Sequence, residues 1–283
     1  MNYSKINNLA GWVTFLIASI TYILTLEPST SFWDCGEFIA AAFKLQVVHQ
    51  PGAPLFLMVQ KMFSLLAFGD TAKIAYFMNV GSALCSGLTI LFLFWTITAL
   101  AKKVVAKPNA ELSKGQLISI IGSGLVGALA YTFSDSFWFS AVESEVYAMS
   151  SLCTAIVFWA ILKWEAQANE PGADRWIIFI AYVMGLSIGV HLLNLLVIPA
   201  IALVYYFKRN EIATPKGTIL ALFTGILILG VIQYGVIQYL IKLAANFDLF
   251  FVNSLGLGFG SGVLVFALLL IGAIVYGIQY SIR

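Results

Sequence analysis

Two carboxylates three residues apart, Asp34 and Glu37, stand in the segment Phe32-Trp33-Asp34-Cys35-Gly36-Glu37-Phe38, and a histidine follows in Val48-His49-Gln50-Pro51-Gly52-Ala53-Pro54-Leu55-Phe56. Positions i and i+3 share a helix face, so both acids can address one site. A carboxylate within hydrogen-bond reach of a hydroxyl can take its proton as a general base, with its pKa set by burial. Asp34, beside Trp33 and with Gly36 leaving room for a substrate, is the candidate base. The competing reading is a capping box, Asp34 as N-cap and Glu37 at N3. Spacing leaves both open, because carboxylates in structural networks are perturbed too.

The segment His49-Gln50-Pro51-Gly52-Ala53-Pro54 cannot be helical throughout, since the residue before each proline is pushed towards extended backbone. It forms a turn presenting His49 and Gln50, either as a plain connection or as a contact for an anionic head group. A second acidic and aromatic stretch runs from Ser134 to Tyr147 and contains Trp138, Glu143 and Glu145. Glu143 and Tyr147 share one face of the helix that follows, and Glu145 points elsewhere. Acids in a first helical turn also suit the helix dipole, and Phe137, Trp138 and Phe139 suit an interfacial aromatic belt. Two such loops on one side exceed what a belt requires. His191 and Asn194 interrupt an apolar stretch. An interhelical hydrogen bond accounts for Asn194, and His191 is open between a structural and a functional role. A divalent metal held by His49, His191 and nearby acids is conceivable from the donor types, but no spacing demands one, so no metal ligand is assigned. Cys85 and Cys153 read as small core hydrophobes. Cys35 adjoins two acids, which raise a thiol pKa and argue against a nucleophile.

The elements that position these residues are membrane helices. Of 283 residues, 61% are apolar and 10% charged, with a mean hydropathy of +0.94. Soluble domains are about 45–50% apolar and about 25% charged. No basic stripe exists for nucleic acid. Apolar runs predict helices near 9–26, 74–100, 116–133, 146–163, 176–190, 192–207, 217–241 and 261–280, about eight spans. Residues 176–207 read equally as a tight pair or one bent helix. The first run lacks a cleavage pattern and reads as a retained span. Segments 35–48 and 54–69 are too short to span and read as interfacial helices in the first outer loop.

With a cytoplasmic N-terminus, Lys5, Lys102, Lys103, Lys107, Lys114, Lys163, Arg175, Lys208, Arg209, Lys216 and Arg283 fall on one side, and only Lys44, Lys61, Lys73 and Lys242 on the other. Eleven against four supports that orientation by the positive-inside rule. Glu27, Asp34, Glu37, Asp70, Asp135, Glu143, Glu145 and Asp248 all fall on the outer side, which predicts an acidic outer cavity. Residues 1–283 read as a single transmembrane domain without repeats. Its end directly after an apolar run reads as the membrane part of something longer.

The first-loop motif from Phe32 to Phe38, the turn from His49 to Leu55, and Phe137-Trp138 through Glu143, Glu145, Val146 and Tyr147 resemble the GT-C superfamily of integral-membrane glycosyltransferases. More narrowly, they resemble the transmembrane O-mannosyltransferase-like family. The resemblance implies a GT-C-like helical bundle, Asp34 as catalytic base with Glu37 beside it, a polyprenyl-phosphate sugar donor of mannose type, and a hydroxyl acceptor on an exported protein. It implies an active site on the extracytoplasmic side of a bacterial inner membrane, or of the endoplasmic reticulum in a eukaryote. Trp33, Lys44, His49, Gln50, Trp138, Glu143, Glu145, Tyr147 and His191 are then the substrate-binding candidates. Lys44, Lys61 or His49 can hold the phosphate, although interfacial lysines also snorkel. Membrane lipids are the remaining partner, and no cofactor is assigned. The alternative is a transporter or flippase for a lipid-linked or small anionic solute. Transporters place charges near the midplane and carry repeats, whereas these acids gather at one surface.

Overall fold

The computed structural model describes residues 2–106 and 111–282; Lys107 and Arg283, counted above for orientation, lie outside them. Every described element is helical, and seven are long and apolar enough to cross a membrane: Tyr3–Leu24, Thr71–Val105, Lys114–Thr132, Val146–Gln167, Leu192–Arg209, Pro215–Leu255 and Ser261–Tyr280. The chain is an all-α polytopic membrane protein. The remaining predicted run, near 176–190, forms the 14-residue helix Arg175–Ile188, shorter than the roughly 20 residues a bilayer core asks for. A break at Gly189–His191 separates it from the next helix, so residues 176–207 are two elements. The helices gather into two compact units, Met1–Val197 with Val204–Ile212, and Ile198–Leu203 with Ala213–Arg283.

In the first unit, α1 (Tyr3–Leu24), α2 (Cys35–Lys44) and α3 (Pro54–Ser64) precede the 32-residue α4 (Ile74–Val105). Then come α5 (Lys114–Thr132), α6 (Asp135–Ala141), α7 (Val146–Gln167) and α8 (Arg175–Ile188). Helices α1, α5 and α7 all pack on α4. The seam is built from small and apolar groups. Ala18, Tyr22, Ala83, Ile90, Phe94 and Ala128 are all buried in one cluster, and Gly124 of α5 lies so close to α4 that a Cβ there would meet Thr98 Cγ2 at 2.5 Å. Small residues at such crossings let backbones approach, which is how helices associate where lipid offers no hydrophobic drive.

The predicted interfacial helices of the first loop are the short α2 and α3. Pro54 opens α3, where its missing N–H leaves nothing unpaired. Both bury one face, Phe38, Ile39, Phe56 and Leu57, against Met78, Val146 and Val190.

Buried amides tie the loops to these helices. Asn79 of α4 donates through Nδ2 to the carbonyls of Glu27 (2.7 Å) and Ser29 (3.1 Å). Gln60 of α3 donates through Nε2 to Ser82 Oγ (3.3 Å) and Ser144 Oγ (3.0 Å). The N–H groups of Leu55 and Phe56 donate to the Gly189 carbonyl at 2.7 and 3.2 Å. The first loop, the segment before α7 and the break after α8 are thus held together at one end of the bundle.

The second unit contains the first half of α9 (Ile198–Arg209), then α10 (Pro215–Gly230), α11 (Leu240–Leu255) and α12 (Ser261–Ile282). The span predicted to close at 241 does not close there. A π-helical segment, Val231–Tyr239, carries α10 into α11 as one 41-residue run. Lys242 and Asp248, read as loop charges, therefore lie in a helix. Polar side chains lower local hydropathy without breaking backbone hydrogen bonds, which is why the sequence reads as a loop. Asp248 has a structural partner: its carboxylate accepts from the N–H groups of Gly260 (3.2 Å) and Gly262 (3.0 Å), supplying an anion to the start of α12.

Candidate active site

Asp34 occupies the N-cap position of α2, but its side chain makes no capping hydrogen bond. The predicted capping box is therefore not formed. Glu37 turns to His49 instead, accepting from the His49 backbone N–H (2.7 Å) and pairing with Nδ1 (2.8 Å). The other ring nitrogen, Nε2, lies 4.0 Å from Asp34 Oδ2. His49 is held between both carboxylates of the motif. Its turn is closed by the Gly52 N–H donating to the His49 carbonyl (2.9 Å), with Gly52 at φ +76°, a conformation glycine adopts without strain. The hydrogen bond that His49 makes to Glu37 and the nearby charges of Glu37 and Asp34 raise the His49 pKa. The same hydrogen bonds lower that of Glu37.

Asp34, His49 and Gln50 line a cavity of about 150 Å³ together with Glu145, Tyr147 and His191. Glu145 is the N-cap residue of α7 and only 9% exposed. Burial, then the charges of Glu143 and Asp34, push its carboxyl up to about 7, with His49 opposing. A carboxyl raised into the neutral range can hold or release a proton at the pH where the site works. The His191 ring meets the Tyr147 ring edge-on at 5.4 Å. Its Nδ1 accepts from the Leu193 N–H at 3.2 Å, and burial lowers its pKa. Asn194 donates to Ser187 Oγ at 3.0 Å across the α8 break.

Other candidates lie elsewhere. Glu143 is 4% exposed and does not line the cavity. Burial and the charges of Glu143 and Glu145 push Cys35 up to about 12. The shift has the direction expected from the sequence, but burial leads it, and the acids that add to it come from the second loop and not from its neighbours. Trp33, at φ +61° and 88% exposed, does not line the cavity. Trp138 donates to Thr25 Oγ1 at 2.9 Å and packs on Tyr22 and Phe133, a bracket between α1 and α6. Lys44 is exposed at the end of α2 and does not line the cavity. Lys61 donates to the Phe43 carbonyl and lies over the Phe43 ring, closing the C-terminus of α2. Of the other outer acids, Asp70 pairs with Lys73 at 3.0 Å and caps the turn at Ala72.

Ligand atoms of Asp34, Glu37 and His49 all lie within 4.8 Å of one another. Two carboxylates and an imidazole are donors a divalent cation can use, and His191, paired with His49 in the sequence reading, is not among them. The imidazole is hydrogen-bonded to Glu37 and lies beside Asp34, so the three side chains are already one another's partners.

The fold and site define a class: a multi-pass helical membrane protein whose loop acids converge on a small cavity at one end of its spans. The chain belongs to the family described as the protein O-mannosyl-transferase TMEM260 N-terminal domain, which it matches over residues 34–214. That match opens on Asp34 and contains every residue named as lining the cavity. Among relatives, the protein O-mannosyl-transferase tmem260 of Dictyostelium discoideum is 25% identical over 210 residues, covering 70% of this chain and 23% of that protein. Protein O-mannosyl-transferase TMEM260 of Mus musculus is 25% identical over 175 residues, 62% of this chain and 22% of that protein. The chain thus spans less than a quarter of the length of these relatives. No solved structure matches.

Proposed function

We propose that this chain is the membrane-embedded catalytic part of a glycosyltransferase that moves a mannose-like sugar from a polyprenyl-phosphate donor to a hydroxyl on an exported protein, at the extracytoplasmic membrane face. One observation carries the reading: Asp34, His49, Glu145, Tyr147 and His191, from three separate segments, share one cavity at the ends of the spans. The names of the relatives point the same way.

A lipid-linked donor keeps its tail in hydrocarbon and presents its phosphate at the surface, where this cavity lies. About 150 Å³ is the room of roughly five waters, enough for the reacting hydroxyl and one edge of a sugar while the tail stays outside. Asp34 takes the acceptor proton as the hydroxyl oxygen attacks the anomeric carbon. The anomeric carbon–oxygen bond to phosphate breaks in the same step, and the lipid phosphate leaves as a stable anion. One displacement inverts the anomeric centre, the logic that separates inverting from retaining sugar chemistry. His49 is the candidate phosphate contact at the cavity, because Lys61 is engaged with α2 and Lys44 lies outside.

The test is transfer from a radiolabelled polyprenyl-phosphate mannose to a hydroxyl peptide by the purified protein in lipid nanodiscs. Replacing Asp34 by Asn keeps shape and removes the base, and is expected to lower the rate roughly 10²–10⁴-fold. Near-normal transfer by a folded Asp34→Asn protein sinks the assignment. Movement of the intact donor across vesicles, without transfer, supports the flippase alternative instead.

A further inference from the structure

At the end of the first unit opposite Asp34, the start of α1, the last turns of α4 and the second half of α7 enclose a larger cavity of about 840 Å³. Its wall is aromatic, with Trp12, Trp95 and Trp159, and its rim is basic, with Lys102, Lys103 and Lys163. The tryptophans brace one another, Trp12 on Trp95 at 6.3 Å and Trp95 on Trp159 at 6.1 Å, so the walls are held apart.

The charges at the rim point to an occupant. Lys103 is neutralised by Glu165. Among the described residues, Lys102 and Lys163 have no carboxylate within ion-pair range, and rest over the Tyr3 and Trp159 rings at 4.7 and 5.3 Å.

We infer that this cavity binds an anionic phospholipid. Lys102 and Lys163 hold its phosphodiester. The aromatic wall takes the upper acyl segment. The location argues for a lipid over a free anion. The cavity sits at the ends of three spans, where head groups lie, and is far larger than one phosphate. Basic pockets between spans are a known form of lipid recognition, and tryptophan favours the interface. A choline head group brings a positive charge of its own towards lysines that have no carboxylate partner among the described residues.

The experiment measures lipid binding to the purified protein in detergent by native mass spectrometry, using phosphatidylglycerol, phosphatidylcholine and glycerol phosphate as probes. Phosphatidylglycerol is expected to bind roughly tenfold or more tighter than phosphatidylcholine, the contribution of two lysines at a membrane surface. Lys102→Gln with Lys163→Gln should abolish that preference. Equal binding of both lipids, or a preference that survives the double substitution, overturns the site. Glycerol phosphate binding as tightly as the lipid overturns the lipid assignment. The readout does not involve sugar transfer, so it stands or falls separately from the catalytic proposal.

Discussion

An imidazolium held between two carboxylates keeps its proton to higher pH than a free histidine, whose pKa is 6.5, because each acid stabilises the charged form. The His49–Glu37 pair therefore exists in a window. It is lost as pH rises through the raised His49 value, and lost as pH falls through the lowered Glu37 value. NMR titration of the two histidine rings should show one midpoint above 6.5 for His49 and one below it for His191. Glu37→Gln should move only the first, downwards. A His49 midpoint unmoved by that substitution would place the turn elsewhere. Glu145 titrates in the same cavity at about 7, and its sign favours donor binding at lower pH. Above that value its negative charge repels a phosphate, while below it the carboxyl is neutral, and the raised His49 gains charge in the same direction. Donor affinity should rise by up to about tenfold, the equivalent of one pKa unit, as pH falls from about 8 to about 6. Glu145→Gln should bind tightly across the whole range, and a wild-type-like pH profile in that variant would remove Glu145 from the donor site.

Helices position these residues through contacts that sequence spacing does not encode. The acids, His49 and His191 stand out in the sequence because charge and polarity are rare among apolar runs, and so their membership of one end of the bundle was legible. Their partners were not. Asp34 and Glu37 have capping-box spacing, yet Glu37 finds a stronger partner in a histidine twelve residues on. Lys61 and Trp138 carry head-group and stacking chemistry, but α2's carbonyl and Thr25 claim them first. Gln60 and Asn79 escaped notice because a lone amide in an apolar run does not announce which loop it will tether. The α4–α5 seam tests how much element packing matters. A Cβ at Gly124 would meet Thr98 Cγ2 at 2.5 Å and Phe94 Cε2 at 2.8 Å, whereas one at Gly122 would have nothing within 4 Å. Gly124→Val should therefore destabilise the protein by roughly 1–3 kcal/mol through overpacking. Gly122→Val should leave thermal unfolding in detergent near wild type apart from its small helix-propensity effect. Equal shifts for the two variants would mean that α4 and α5 are not in close contact.

The first unit is a bundle with two chemically different ends. One end gathers Asp34, Glu37, His49, Glu143 and Glu145 through the tethers at Asn79, Gln60 and Gly189. The other carries Lys102, Lys103 and Lys163 around a tryptophan-walled cavity. Positive residues near span ends orient a membrane protein with the lysine-rich side in the cytoplasm, and acids contribute little to that choice. The asymmetry therefore predicts that the acidic end faces the extracytoplasmic side, where an exported acceptor would meet it. Because Glu27 N–H donates to the Val142 carbonyl at 3.2 Å and Tyr22 Oη to the Thr132 carbonyl at 2.9 Å, the first and second loops must lie on one side. Cysteines introduced at Ser31 and Ser136 should react with an impermeant thiol reagent from outside intact cells, and a cysteine at Ser113 only after permeabilisation, each measured against the unmodified chain. Labelling of Ser31 and Ser136 from opposite sides would contradict the fold itself. Labelling of both only after permeabilisation would leave the fold intact but reverse the orientation, and with it the membrane face proposed for sugar transfer.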